Sequence, residues 1–257
     1  MNGFGRGFLG LPPVVKNLIF INILMLLVTY AAQSFMGLDF SGNLYLNTKL
    51  GLYFPKSDQF MPVQLVTHMF MHGGFWHIFF NMYALYIFGG VLENVWGPKR
   101  FFIYYIVCGL GAALTHESVI AFQYYHLVNS ISPENLQIFF NKGTEFLNNG
   151  DLDSLQKLYI LLNTPTVGAS GAIFGVLLAF GVLFPNTQLM LLFPPIPIKA
   201  KYFVLIYGGI ELSLAVTQPG SNIAHAAHIG GMIFGYLLIR YWRKTTNTFY
   251  KWESGMI

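Results

Sequence analysis

The stretch VGASGAIFGVLLAFGVLF, residues 167–184, decides the fold. It opens on a Gly-Ala-Ser-Gly turn, Gly168 to Gly171, and no charged residue follows before Lys199. An apolar run of this kind is expected to be a helix in lipid, because its backbone N–H and C=O groups must be satisfied within the segment. A second run opens on Ala224-His225-Ala226-Ala227-His228. A serine and a histidine at the starts of two membrane helices suggest a nucleophile and its base placed inside a bilayer.

Composition agrees with a membrane location. Apolar residues are 54% of 257 positions, charged residues 9%, and mean hydropathy is +0.54. A soluble domain carries roughly a quarter charged residues. The basic pI of 9.0 is explained by membrane topology and does not call for nucleic acid. Cys108 is the only cysteine, so no intramolecular disulfide forms. The first apolar run, 14–32, is too long for a typical signal-peptide core, and no convincing small-residue cleavage site follows it.

Working outward, six spans are expected near 14–35, 75–96, 101–122, 167–184, 202–217 and 223–242. About 20 residues cross a hydrocarbon core roughly 30 Å thick. The expected fold is therefore an all-α polytopic bundle of six transmembrane helices. A β-barrel would show shorter alternating segments. The spans follow one another too closely for separate folding units, so residues 1–257 read as one membrane domain with its core at about 14–243.

Orientation follows from charge. With the N-terminus in the cytoplasm, ten Lys and Arg residues fall inside and four outside, which favours both termini cytoplasmic. A bacterial plasma membrane is the expected location. Two outer segments are long. Residues 37–74 contain an apolar part that is expected to lie in the interface. Residues 124–166 form a polar insertion broken at Asn148-Asn149-Gly150, with an amphipathic helix expected from the Ser132 cap across 133–147.

In this topology His77, Asn81, Ser170 and His228 lie at similar depth below the outer surface. Gly171 and Gly175 form one Gly-xxx-Gly pair and Gly231 and Gly235 another, and such pairs let helix backbones approach closely in lipid. Close contact would bring the Ser170 hydroxyl to a histidine base, which a serine nucleophile needs. His225 and His228 both compete for that role. No Asp or Glu lies in the outer third of a span, so a dyad is the economical expectation. His77 and Asn81 share one helical face and could supply side-chain donors to an oxyanion. Backbone N–H groups at the start of the 167–184 helix would add to them.

Gly168-Ala169-Ser170-Gly171, His77-xxx-Asn81, and Ala227-His228-Ile229-Gly230-Gly231 with Gly235 together resemble the rhomboid intramembrane serine proteases. The resemblance covers roughly residues 14–243. It implies that Ser170 is the nucleophile, that His228 is the base, and that His77 and Asn81 form the oxyanion hole. It also implies that the Phe174 ring packs against the base. One departure stands out: Val63-Gln64 occupies the place of a Trp-Arg pair that many members carry, which bears on loop anchoring and lipid contact. The implied activity is hydrolysis of a peptide bond in or near a transmembrane segment. Single-span membrane proteins are the implied substrates, and no metal or other cofactor is implied.

The remaining polar residues have plainer readings. His68 and His72 are spaced like metal ligands, but no Cys or well-spaced carboxylate joins them, so hydrogen bonding of the loop to the span tops is expected. Glu211, an ionisable group within a span, is expected to bond between helices. His225 reads as a loop-facing residue. Glu93 reads as marking the inner end of its span, and Trp76, Trp96 and Trp242 as interfacial anchors. Two other classes compete: a rhomboid-like protein that binds membrane clients without cleaving them, and a metal or ion transporter.

Overall fold

The computed structural model describes residues 10–36, 44–142, 152–190, 195–218 and 224–245. The Asn148-Asn149-Gly150 break lies outside these residues. The first helix, α1 (Pro13–Met36), begins at a proline, whose missing N–H costs nothing in a first turn. Its next two N–H groups have no carbonyl one turn back. They donate instead to Glu93, Val14 N to Oε1 at 2.9 Å and Val15 N to Oε2 at 2.8 Å. Glu93 is buried, so its charge is compensated by these donors and by the positive end of the α1 dipole. It lies three residues from the end of the 75–96 span, as expected, and is also a cap joining two helices.

Helices α2 (Tyr45–Leu50) and α3 (Gln64–Thr67), with a 3₁₀ turn at His68–Phe70, belong to the first outer segment. The next rod consists of α4 (Phe75–Ala84), a π-helical turn at Leu85–Gly89 and α5 (Gly90–Trp96). Gly97, at φ 78°, takes a left-handed turn that a side chain would strain, and Pro98 starts the next helix.

That helix, α6 (Pro98–Ser130), runs past residue 122, so the first part of the expected outer loop is helix. Helix α7 (Pro133–Lys142) starts as expected, with Asn135 N–H donating to Ser132 Oγ at 3.3 Å. Helix α8 (Leu152–Asn163) follows. Together they cover a small satellite core of Phe54, Ile131, Phe139, Leu155, Leu158 and Leu162. The described parts of the polar insertion thus cover the C-terminal end of α6.

At the centre stands α9 (Ser170–Leu183), which has no polar face after Ser170 and buries ten of its 14 residues. A helix that is apolar all round belongs inside a bundle. It packs against α6 and against α11 (His225–Thr245). A Cβ on Gly231 would collide with the Gly171 carbonyl, and one on Gly175 with Cys108. Gly231 therefore lets α11 lie directly on α9, while Gly171, Gly175 and Gly235 make room for side chains of α6. Tyr104 of α6 adds a hydrogen bond from its hydroxyl to the Gly175 carbonyl at 2.8 Å.

Opposite the outer cap, a two-stranded antiparallel hairpin precedes the fifth long helix. Strands β1 (Gln188–Met190) and β2 (Pro197–Lys199) pair Leu189 with Ile198. Helix α10 (Ala200–Thr217) follows and buries only Ala200, Val204 and Glu211. Trp96 is not an interfacial anchor: it is 9% exposed and packs between Tyr104 and Trp242, whereas Trp76 is 67% exposed.

Among the described residues the fold is all-α apart from this hairpin. By length and composition 13–35, 75–96, 98–130 and 200–217 can cross a membrane. Helix α9 is shorter, at 14 residues. Helix α11 is amphipathic in composition, with Arg243 and Lys244 in its last turn.

Candidate active site

The outer ends of α4, α9, α10 and α11 converge beneath the first outer segment. That segment is anchored by Gln64, one of the two residues at the departure from the expected Trp-Arg pair. Its buried amide accepts from Met61 N–H at 3.0 Å and Tyr53 N–H at 3.4 Å, and donates to the carbonyls of Gln59 at 2.9 Å and Lys49 at 3.2 Å. One side chain thereby satisfies four backbone groups of an irregular loop. Leu52 and Thr166 exchange backbone hydrogen bonds at 2.9 and 2.8 Å, tying this segment to the chain entering α9.

Gly168 makes the sharp entry to α9. Its N–H donates to the His68 carbonyl at 2.9 Å and its φ is 131°. A Cβ there would lie 2.9 Å from His77 Nε2 and 3.6 Å from Ser170 Oγ, so the missing side chain leaves His77 and Ser170 bordering one space. Ser170 is the first residue of α9, where the leading N–H groups have no carbonyl one turn back.

His228, in the first turn of α11, places Nε2 2.8 Å from Ser170 Oγ. Phe174 stacks on the imidazole at 4.1 Å and 9°, and Tyr207 of α10 stacks on Phe174 from 5.1 Å. These contacts hold the imidazole from its face. The Nδ1 atom of His228 lies 2.8 Å from Glu211 Oε2, and His225 Nδ1 lies 2.6 Å from the same oxygen. A carboxylate can only accept, so both histidines donate Nδ1–H. His228 in that tautomer turns an unprotonated Nε2 toward the serine hydroxyl.

Two sequence expectations change here. His225 is buried and bonded to Glu211 rather than facing a loop. A carboxylate does reach His228, so the site is not a bare pair of side chains. Glu211 was legible as an interhelical hydrogen-bonding residue, but its partner was not. Depth counted along the sequence puts it about 9 Å below the end of α10. That helix rises farther outward than α11 begins, so equal residue counts do not mean equal depth.

His77 Nδ1 accepts from Gly73 N–H at 3.2 Å, which leaves the neutral ring's proton on Nε2, facing the space at Gly168. Asn81 is buried and spends one amide N–H on the His77 carbonyl at 2.8 Å, with its second N–H remaining. A cavity of about 20 Å³, room for one water, lies beside Ser170, bordered by His68, His116, Thr166 and Gly168.

Among the described residues, the loop histidines are not part of a cluster of three metal-ligand side chains. His68 donates Nδ1–H to the Gln64 carbonyl at 2.8 Å, and burial lowers its pKa. His72 packs edge-on against His77; burial chiefly, and His77 secondarily, lower its pKa to about 3. Among the described residues, the group with ligand atoms close enough to share a cation is Glu211, His225 and His228, within 4.8 Å of one another.

Comparisons with known proteins identify the family. The family model for the rhomboid domain matches residues 59–245. The chain is 28% identical over 175 residues to Rhomboid protein 1, mitochondrial, of Saccharomyces cerevisiae, covering 68% of this chain and 40% of that protein. It is 29% identical over 172 residues to rhomboid protease AarA of Providencia stuartii, covering 66% and 52%. Against rhomboid protease GluP of Bacillus subtilis, identity is 25% over 173 residues, covering 67% and 24%. The chain thus matches about half or less of the length of these relatives.

Proposed function

The chain belongs to the rhomboid family and is an integral membrane protein, and from that premise we propose that it is an intramembrane serine endopeptidase. Ser170 is the nucleophile and His228 the base. The observation that carries this reading is the 2.8 Å approach of His228 Nε2 to Ser170 Oγ between two glycine-packed helices. Serine attack on a peptide carbonyl passes its proton to Nε2. The resulting oxyanion is received by His77 Nε2–H, the free Asn81 N–H and the first N–H groups of α9, where the helix dipole favours negative charge.

The substrates are single-span membrane proteins. A peptide bond in an intact helix is shielded and internally hydrogen-bonded, so segments weakened by Gly or Pro are the ones that can enter. Hydrolysis of the acyl-serine needs water, and the cavity beside Ser170 has room for about one water molecule. We place both termini in the cytoplasm of a bacterial plasma membrane. The inner ends of α6 and α11 carry Lys99, Arg100, Arg240, Arg243 and Lys244, at the opposite end from Ser170. Relatives occur in bacteria and in mitochondria, and charge bias identifies the side of the membrane, not the organelle.

A fluorophosphonate, which phosphonylates an activated serine, tests the reading on the full chain in detergent. Wild type is expected to label. Ser170→Ala and His228→Ala are expected to lose labelling and cleavage of a reporter transmembrane peptide to background. Full cleavage by either variant sinks the assignment, and an unlabelled wild type would leave client binding as the better reading.

A further inference from the structure

Helix α10 is the least embedded long helix of the bundle, with Leu205 70% and Val216 74% exposed. Among its described residues Glu211 is the one buried polar side chain. A carboxylate turned inward from such a helix is costly to place and is retained for its partners. Those partners are two N–H donors on one oxygen, His225 Nδ1 at 2.6 Å and His228 Nδ1 at 2.8 Å. Side chains from α9, α11 and α10 therefore form a continuous line, Ser170 Oγ to His228 to Glu211, with His225 closing it from one turn earlier on α11.

We propose that Glu211 is the positioning residue of a Ser170–His228–Glu211 relay, with His225 clamping the carboxylate. This rests on the serine-endopeptidase reading. By accepting Nδ1–H, Glu211 fixes the tautomer in which Nε2 is free to take a proton. As the Ser170 Oγ–C bond forms, the hydroxyl proton moves to Nε2, and the imidazolium lies against the carboxylate charge. The C–N bond then breaks and Nε2 returns the proton to the departing nitrogen. In the second half, water adds to the acyl carbon, its proton passes to Nε2, and the Oγ–C bond breaks as Oγ takes that proton. Glu211 stays ionised throughout. His225 supplies a second donor, so the carboxylate keeps a partner and its orientation while His228 changes charge.

A divalent cation on the same three residues would require the opposite tautomer. It would take the Nδ1 lone pairs and leave the proton of a neutral His228 on Nε2, facing the serine. Cation binding and the relay exclude each other, and the tautomer separates them.

The test uses the full chain in detergent micelles, the fluorophosphonate probe and ¹⁵N-histidine NMR. Loss of the orienting carboxylate in a serine-protease triad costs up to about 10⁴ in rate. Glu211→Gln is expected to lower the maximal labelling rate a hundredfold or more, on the order of half that range on a logarithmic scale, with the probe's half-saturation concentration unchanged. Glu211→Asp is expected to recover part of the rate, and His225→Gln to show a smaller loss. The resting His228 ring is expected to carry its proton on Nδ1. Wild-type labelling by Glu211→Gln, or a resting His228 protonated on Nε2, overturns the relay while leaving Ser170 as nucleophile. If the wild type itself fails to label, the hydrolase reading falls and takes the relay with it.

Discussion

Helices α9 and α10 are neighbours in the bundle, yet they are held by opposite means. Helix α9 is locked between α6 and α11 by backbones that leave no room for a side chain at Gly231 or Gly175. Helix α10 presents most of its surface outward, and a Cβ on its Gly209 would meet nothing within 4 Å. Its outer half is tied to the centre by the Phe174–Tyr207 stack and the Glu211 hydrogen bonds. The proposed nucleophile thus stands on a helix fixed by shape, while the group proposed to orient its base stands on a helix fixed by a polar clasp. Lipid offers no hydrophobic force to press helices together, so packing and hydrogen bonds are the means available.

The same substitution made in the two helices' surroundings should break this comparison most sharply. Gly231→Ala drives a methyl into the Gly171 carbonyl, backbone that cannot rotate aside. Overpacking of this kind costs about 3 kcal/mol or more when two backbones must separate. Thermal unfolding in detergent should fall well below wild type, and serine labelling should be lost with it. Gly209→Ala should do the reverse, stabilising by roughly 0.5–1 kcal/mol through helix propensity alone. Equal effects at the two sites would mean that α9 and α10 are packed alike.

The two buried carboxylates sharpen the contrast. Glu93 clasps α1 to α5 at the inner end, as Glu211 clasps α10 to α11 at the outer end. Hydrogen bonds to a charged group contribute about 1.5–3 kcal/mol each, so Glu93→Ala should destabilise by roughly 3 kcal/mol or more. The folded fraction should still label at the wild-type rate, because Glu93 is remote from Ser170. A slowed rate in folded Glu93→Ala would show that the inner clasp is felt at the outer site.

These examples also show what the sequence reveals and what it hides. Ser170, His228 and the paired glycines were legible because they sit in short local motifs, Gly168-Ala169-Ser170-Gly171 and Ala227-His228-Ile229-Gly230-Gly231. Glu93, Glu211, His225 and Gln64 were visible as residues, but what each bonds is set by tertiary neighbours. Glu93 lies 78 and 79 residues from the N–H groups it caps. Gln64 replaces an expected charged residue and still anchors the loop, because an amide can both donate and accept. The overrun of α6 to Ser130 was hidden for a different reason: the polar residues of 124–130 look like loop, but α7 and α8 cover that end of the helix. Trp96 looked interfacial by position, and only its contacts with Tyr104 and Trp242 show it to be enclosed.

Acid provides the mildest probe, acting on loop histidines that burial keeps neutral. Burial chiefly, and His77 secondarily, lower the His72 pKa from 6.5 to about 3, and burial lowers that of His68 as well. A depressed histidine pKa means that the unfolded chain binds the proton first. The contribution is fully present above pH 6.5, shrinks as pH falls, and stops changing below the folded value of about 3. Each such proton costs about 1.4 kcal/mol of stability per pH unit within that window. Thermal unfolding in detergent should therefore fall between pH 7.5 and pH 5.5, by roughly the effect of one pH unit for each histidine titrated. His72→Phe keeps the ring volume and removes one proton, so it should flatten the fall by the share of one histidine. An unchanged slope in that variant would show that His72 is already charged in the folded protein, and that the loop covering the site is wetter than its burial implies.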